Sequence, residues 1–266
     1  MASIGSILSP FFMAMKIISS ILLCFVSLIA VGQQYTPSSV FAHNDYAQAD
    51  PFYGAYENRV GYIEADIFFR NNELFVAHLQ TEINAERTLA SLYLIPLQET
   101  IIKNKGWAYP DSTITLTLMI DLKTEGVATV KKLVDQLNQH KELLMCKTLE
   151  IMISGNVPDP KLWKDIPTFI FMDGRPNIPY TADQLDRVRL ISTNFNQHVS
   201  WSGKDKLKEE YLTKLELLIR SVHSKGKKIR FWAAPDFENG WKTLQGLGVD
   251  VIGTDNVEGL MAFVKK

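Results

Sequence analysis

Residues 62–78 read YIEADIFFRNNELFVAH, and this stretch indicates both the fold and the chemistry of the chain. Two strand-like runs flank an Asn-Asn pair, a composition that is typical of a tight hairpin turn. Side chains two positions apart on a strand point to the same side, so Glu64 and Asp66 can bind one cation. The return strand ends near His78, which we expect to lie above the two carboxylates.

Seven further apolar runs have the length of buried strands, and helical patterns separate several of them. They are residues 39–43, 114–122, 149–154, 168–173, 189–193, 229–234 and 250–255. Nearly continuous apolar strands with helical crossovers indicate an α/β protein with a parallel sheet buried on both faces. Together with residues 62–68 they make eight strands, which predicts a (β/α)8 TIM barrel. An open doubly wound sheet is the alternative, but no Gly-rich nucleotide loop follows the first strand.

Amphipathic segments supply the expected helices. Residues 205–225 form one such segment, and Gly226 is placed as its C-terminal stop. Residues 79–113 are long for a barrel connection, so we expect a helix within 88–101 and a lid or pocket wall in the remainder. The segment 126–145 is predicted to place four apolar side chains on one face, namely Val127, Val130, Val134 and Leu137.

The first 32 residues resemble a secretion signal rather than part of a fold. Residues 17–31 form a short apolar run after Lys16, and small residues stand at positions 30 and 32. We predict a cleaved signal peptide over 1–32 and one TIM-barrel domain over 33–266. An uncleaved membrane anchor is the alternative, although the run is short for a bilayer span.

Composition limits the partners and the compartment. The formal net charge of −1 gives no electrostatic support for nucleic-acid binding. Cys146 is the only cysteine after residue 32, which excludes an intrachain disulfide and a cysteine-type zinc site within 33–266. An exported protein without disulfides fits a bacterial periplasm or cell exterior. Nothing in the sequence indicates an oligomeric state, and contact with a membrane surface is expected only if residues 79–113 expose apolar side chains.

Ionisable residues cluster at or near the ends of the first predicted strands, where TIM barrels build their active sites. Asp121 completes a set of three carboxylates with the acidic pair of the second strand, and such oxygen ligands suit Mg²⁺ or Ca²⁺. Lys123, two positions later, supplies a positive charge for a phosphate oxygen. Burying three carboxylates is costly unless a cation compensates for them. With His43 and His78 on either side as proton donor and acceptor, the pattern predicts metal-assisted acid/base chemistry on a phosphate ester.

The same residues resemble those of the glycerophosphodiester phosphodiesterase and phosphatidylinositol phospholipase C-like TIM barrels. Those families carry a first-strand His, a Glu-x-Asp on the second strand, a further His about a dozen residues on, and an acid-x-Lys on the third strand. Four longer stretches look like the subgroup of altered inheritance of mitochondria protein 6 and its bacterial relatives. They are AHNDY (42–46), ERTLASLYLIPLQETI (86–101), FWAAPD (231–236) and GVDVIGTDNVEGL (248–260).

The resemblance implies a role for each residue. His43 and His78 would be the acid/base pair, and one divalent cation, Mg²⁺ or Ca²⁺, would be bound by the three carboxylates, Glu64, Asp66 and Asp121. Lys123 would contact the phosphate, and Trp232 would form a wall of the pocket. The family's His-Arg-Gly is His-Asn-Asp here, so Asn44 is expected to replace a phosphate-binding arginine.

The sequence therefore predicts an exported phosphodiesterase that acts on a small-molecule or lipid phosphodiester, such as a glycerophosphodiester, directly or through a cyclic phosphate. A glycoside hydrolase that uses Glu64 and Asp66 is one alternative, but it leaves the histidines and Lys123 without a role. A protein that only binds a phosphorylated ligand at the barrel mouth is the other. Binding alone does not require two proton-transfer groups.

Overall fold

The computed structural model describes residues 35–265. Residues Gln33–Lys266 form one compact unit. The predicted signal peptide over residues 1–32 lies outside the described residues, so both it and the boundary after residue 32 stay predictions.

Within residues 35–265, nine strands form one sheet, and eight of them are parallel and close into a barrel. Their order around the barrel is β1, β2, β4, β5, β6, β7, β8, β9, and β9 pairs again with β1. The strands are β1 (Val40–Ala42), β2 (Tyr62–Arg70), β3 (Glu73–Val76), β4 (Leu116–Leu122), β5 (Leu149–Gly155), β6 (Ile170–Gly174), β7 (Val188–Asn194), β8 (Lys228–Trp232) and β9 (Val251–Thr254). The predicted TIM barrel is confirmed, and the open sheet is excluded because β1 joins both of its ends.

The barrel interior is packed with large side chains from alternate strand positions, as the two-residue period of a strand requires. One buried cluster gathers six of them from around the barrel, namely Phe41, Tyr62, Met119, Met152, Leu190 and Val251. On each strand, the residues two and four positions further along point the same way. The positions above this apolar layer, toward the C-terminal ends of the strands, therefore form the floor of a site.

The hairpin predicted from the Asn-Asn pair is present. Asn71 and Asn72 have φ of 50° and 61°, the left-handed conformation that a two-residue hairpin turn requires. β3 pairs antiparallel with the second half of β2, from Phe68 opposite Phe75 to Arg70 opposite Glu73. β2 thus extends beyond the barrel wall, and β3 pairs with this extension.

Eight α-helices accompany the described strands, and two of them stand where the sequence predicted one amphipathic segment. They are α1 (Tyr53–Glu57), α2 (Ile95–Lys103), α3 (Gly126–Leu137), α4 (Lys141–Met145), α5 (Ala182–Arg187), α6 (Glu209–His223), α7 (Glu238–Gly246) and α8 (Val257–Val264). The segment 126–145 is two helices rather than one. Val127 is 52% exposed, because the buried face of α3 runs through Val130, Leu133 and Leu137. α6 buries Leu215, Ile219 and Val222, and Gly226 follows it with φ 66°, as predicted for a helix stop.

Residues 79–113 contain the predicted helical part. A π-helical turn, Ala90–Leu94, leads into α2, and this segment buries Tyr93, Leu97 and Ile101 against the barrel. Three of its apolar side chains are exposed instead, namely Leu79, Ile95 and Ile102. Across residues 35–265 there is no helix with the length and hydrophobicity needed to span a bilayer.

Candidate active site

The three carboxylates predicted as cation ligands lie together inside the C-terminal end of the barrel. Glu64 and Asp66 share the inward face of β2, and Asp66 is the register partner of Asp121 on β4. One oxygen from each side chain lies within 4.8 Å of the other two. Glu64 and Asp66 are buried, and Asp121 is partly buried. The fold therefore assembles the acidic set that the spacing of these residues predicted.

Asp121 fits a bound cation in two respects. Its Oδ1 atom is buried and has no hydrogen-bond partner among the described residues. Gly155, at the end of β5 with φ 71°, leaves room for that atom, because a Cβ there would lie 1.8 Å from Oδ1. A buried oxygen without a partner is costly unless a ligand satisfies it. Carboxylate oxygens are hard ligands of the kind that Mg²⁺ and Ca²⁺ prefer, so the residues fit a divalent cation.

Lys123 lies at the edge of this acidic set. Its Nζ atom is 2.9 Å from Oδ2 of Asp66 and 3.0 Å from Oδ2 of Asp121. Burial alone would lower the pKa of Lys123, but Asp121 and Asp66 outweigh that effect and hold the pKa above its ordinary value. Lys123 therefore remains charged and compensates part of the negative charge of the carboxylates.

Glu64 is buried beside Arg230 and His43. Burial raises its pKa, while the positive charges of Arg230 and His43 and the backbone N–H of Asn44 oppose the rise. That N–H donates to Oε2 of Glu64 at 3.1 Å. These contacts orient the carboxylate toward the first histidine and favour its ionised form.

His43 is held by a carboxylate that the sequence did not identify as its partner. Its Nδ1 atom lies 2.7 Å from Oδ1 of Asp255, and its Nε2 atom lies 3.7 Å from Oε2 of Glu64. A carboxylate only accepts hydrogen bonds, so Nδ1 carries a proton, and in the neutral ring Nε2 is then the acceptor. Asp255 follows β9, and its acidic side chain at a strand end was the only sign of this role in the sequence.

His78 lies two residues after β3, on the opposite side of the acidic set. Its Nδ1 atom is 3.4 Å from Oδ2 of Asp66 and 3.1 Å from the hydroxyl of Tyr46. That hydroxyl donates to Oδ2 of Asp66 at 2.7 Å. Burial, together with Asp66, raises the pKa of Tyr46 far above its ordinary value, so the hydroxyl remains a donor. Tyr46 is the second residue of the site that the sequence reading missed.

Asn44 reaches the site, but its side chain is fully engaged. It has φ 49°, the left-handed conformation. Its Oδ1 atom lies 2.7 Å from the hydroxyl oxygen of Tyr46, and its Nδ2 atom lies 3.2 Å from Oδ1 of Asp255. The expected contact between Asn44 and a phosphate stays a prediction, since both ends of the amide already have partners.

Two cavities flank the site. One of about 510 Å³ lies on the side of His78 and is also lined by Gln48 and Arg87. The other, about 120 Å³, lies on the side of His43 and is also lined by Trp232. Trp232 ends β8 and is 39% exposed, so its side chain is placed to form the predicted wall.

Asp45 lies behind the site and is not part of the acidic set. Its Oδ2 atom accepts from the backbone N–H of Phe52 at 2.7 Å and from the hydroxyl of Tyr93 at 2.8 Å. Burial raises the pKa of Asp45 to about 6, although both hydrogen bonds act in the opposite direction. This carboxyl anchors the loop that carries His43 and Asn44.

The closed parallel barrel is a fold shared with solved glycerophosphodiester phosphodiesterases. A glycerophosphodiester phosphodiesterase from Parabacteroides distasonis shares the fold, with a TM-score of 0.54 at 14% identity over 85% of this chain and 96% of that chain. A candidate glycerophosphodiester phosphodiesterase from Galdieria sulphuraria has a TM-score of 0.50 at 16% identity over 81% of this chain and 90% of that chain.

Residues 30–150 match the family model described as the AIM6-like phosphodiesterase domain. The Altered inheritance of mitochondria protein 6 homolog of Arthroderma benhamiae is 26% identical over 270 residues, which cover 88% of this chain and 86% of that protein. Altered inheritance of mitochondria protein 6 of Eremothecium gossypii is 25% identical over 84% of this chain and 69% of that protein. Residues 30–150 resemble an AIM6-like phosphodiesterase domain, and the family resemblance is confirmed. The matched region includes every predicted site residue except Trp232.

The comparisons correct the predicted location. The relatives of the same family are proteins of fungi, from Arthroderma benhamiae, Eremothecium gossypii and Lachancea thermotolerans. The expectation of an exported bacterial protein in a periplasm or cell exterior is therefore wrong. It rested on the apolar run at residues 17–31, which lies outside the described part of the chain.

Proposed function

We propose that the protein is a phosphodiesterase that depends on a divalent cation and cleaves a glycerophosphodiester or a phospholipid-derived phosphodiester. The observation that carries this proposal is the position of the acidic set between two histidines, of which His43 follows β1 near Glu64 and His78 follows β3 near Asp66. Oxygen ligands for a cation and two proton-transfer groups are the parts that cleavage of a phosphate ester requires.

Glu64, Asp66 and Asp121 would hold the cation, either Mg²⁺ or Ca²⁺. When bound, such an ion neutralises charge on the phosphodiester and polarises its phosphorus–oxygen bonds. Lys123, already paired with Asp66 and Asp121, lies where its ammonium group can also contact a phosphate oxygen.

The two histidines differ in their partners, and this difference supports a different role for each. Nδ1 of His43 is bound to Asp255, which stabilises the protonated ring, so Nε2 of His43 accepts the proton of the attacking hydroxyl. The attacking hydroxyl belongs to water or to the substrate itself, and in the second case the first product is a cyclic phosphate. His78, on the side of the larger cavity, donates a proton to the leaving oxygen.

The deciding experiment is an assay of the purified chain with bis(p-nitrophenyl) phosphate and a panel of glycerophosphodiesters and lysophospholipids, with and without EDTA. We expect turnover that EDTA abolishes and that added Mg²⁺ or Ca²⁺ restores. For a substitution of either site histidine, the matched control is His223→Ala. His223 also pairs with an aspartate, Asp250, but it lies on α6 outside the barrel. Ligand binding without turnover in a folded protein contradicts the proposal.

A further inference from the structure

Arg230 is a buried cation that the sequence reading did not identify. It lies on β8, and its guanidinium lies inside the barrel, 3.6 Å from the centroid of the Phe41 ring. Its Nη1 atom is 3.9 Å from Sδ of Met119, a second member of the apolar interior layer. Only 4% of the residue is exposed. Arginine keeps its charge at any physiological pH, so a full positive charge lies at the floor of the site.

This charge has no direct anionic partner in the described part of the chain. No carboxylate of residues 35–265 lies within 4.0 Å of its nitrogens, in contrast to Arg175, which lies 2.7 Å from Oδ2 of Asp173. The Nε atom of Arg230 also lacks a hydrogen-bond partner there. Buried charges without a contact partner are costly, and buried arginines are normally paired. A ligand from outside the chain is therefore needed to accept hydrogen bonds from the guanidinium N–H groups of Arg230.

The space beside Arg230 has the size of a small anion. Arg230 lines the cavity of about 120 Å³ that His43 and Trp232 also line. That volume holds several water-sized groups but not a whole head group. Ser192 on β7, the register partner of Arg230, adds a buried hydroxyl that has no hydrogen-bond partner in the described structure.

We propose that Arg230 binds the phosphoryl oxygens of the substrate from the barrel floor, in the cavity between His43 and Trp232. The planar guanidinium presents paired donors that match two phosphate oxygens. The sequence indicated Asn44 for this role, but both ends of its side-chain amide already contact other residues. Asn44 instead orients the side of the site that contains His43. The choice of a phosphoryl ligand rests on the phosphodiesterase function proposed above. The presence of an anion site at Arg230 does not depend on that proposed function.

Isothermal titration of the full chain with inorganic phosphate, in the presence of EDTA, isolates this contact from any bound cation. Arg230→Lys keeps the buried charge but removes the paired N–H donors of the guanidinium. We expect this variant to weaken phosphate binding about tenfold or more. Arg230→Met is expected to abolish binding. The matched control is Arg189→Lys, because Arg189 also lies 3.6 Å from a phenylalanine ring centroid but pairs with Glu150 at the other end of the barrel. We expect it to leave phosphate binding unchanged.

Thermal unfolding shows which variants are folded, and Arg230→Lys remains the test if Arg230→Met does not fold. Phosphate affinity that is equal in the unmodified chain and in Arg230→Lys overturns the proposal, and so does an unmodified chain that binds no phosphate. A chain that binds phosphate through Arg230 but hydrolyses no phosphodiester supports the anion site and contradicts the proposed enzymatic function, so the two failures are distinguishable.

Discussion

The hydroxyl of Tyr46 lies 2.7 Å from Oδ2 of Asp66. The same hydroxyl is 3.1 Å from Nδ1 of His78, so one phenol contacts both a predicted cation ligand and a predicted proton donor. Tyr46 is buried and follows the first histidine by three residues. The cation site and the second histidine are therefore not independent parts, because both contact the same hydroxyl group.

We expect Tyr46→Phe to weaken both cation affinity and turnover by about 10–100-fold, the usual loss when a group that orients a ligand is removed. Titration with Mn²⁺ and steady-state kinetics at saturating Mg²⁺ measure the two effects separately. Tyr56→Phe is the control, since the hydroxyl of Tyr56 donates to the backbone oxygen of Ala108 away from the site. A loss confined to either measurement alone contradicts the shared role.

We expect His43→Ala and His78→Ala each to lower turnover by at least about a hundredfold, because each removes a group that transfers a proton in the reaction. The fold should survive both changes, since neither side chain is part of the apolar core, and circular dichroism checks this. Activity near that of the unmodified chain in both variants rules out the assignment.

We expect Asp255→Asn to lower kcat by about 10–100-fold, with little change in KM. Asparagine cannot favour the protonated ring of His43, and its amide group allows the wrong tautomer. In a His43→Ala background the same substitution should not lower kcat further, because the two residues act as a unit. An equal loss in both backgrounds means that Asp255 acts independently of His43.

We expect Gly155→Ala to weaken cation binding strongly, because the new Cβ would lie 1.8 Å from Oδ1 of Asp121 and 2.6 Å from the backbone oxygen of Leu122. Gly226→Ala is the matched control: Gly226 also has a positive φ, 66°, but no atom lies within 4 Å of its Cβ position. Both variants carry the strain of a left-handed alanine, about 1 kcal/mol. Only Gly155→Ala should lose cation affinity by calorimetry.

We expect Asp45→Asn to stabilise the fold at neutral pH. The folded pKa of about 6 lies above the ordinary value of 3.8. The protonated carboxyl therefore contributes stability that is complete below about pH 4 and is lost as the pH rises through 6. One pKa unit corresponds to about 1.4 kcal/mol, so the ionised group costs up to about 3 kcal/mol at pH 7.

Asparagine avoids that cost and keeps an oxygen for the two hydrogen bonds that Oδ2 of Asp45 accepts. Urea unfolding at pH 4 and pH 7 should show a gain at pH 7 alone. Asp45→Ala loses both hydrogen bonds and should be destabilised at both pH values. A pH dependence that Asp45→Asn leaves unchanged contradicts this account.

The strands and the acidic set could be predicted because both depend on local patterns. A continuous apolar run identifies a strand buried on both faces, and Glu64 and Asp66 share a face by the period of a strand alone. Asp255 could not be connected to His43 in this way, because their contact exists only once β9 closes the barrel onto β1. Arg230 is a lone charge within an apolar run, and its burial depends on what the other seven barrel strands enclose. The outward position of Val127 depends on where α3 rests against the sheet, which periodicity does not determine.

Barrel closure has a consequence for how activity arises during protein synthesis. The three carboxylates of the acidic set are all translated by residue 121, but the carboxylate that orients His43 is encoded 212 residues after it. A nascent chain therefore holds both histidines and the predicted cation ligands long before it holds the carboxylate that orients His43. The proposed phosphodiesterase activity can begin only after the ribosome has made the last strand, so incomplete translation products have no competent site.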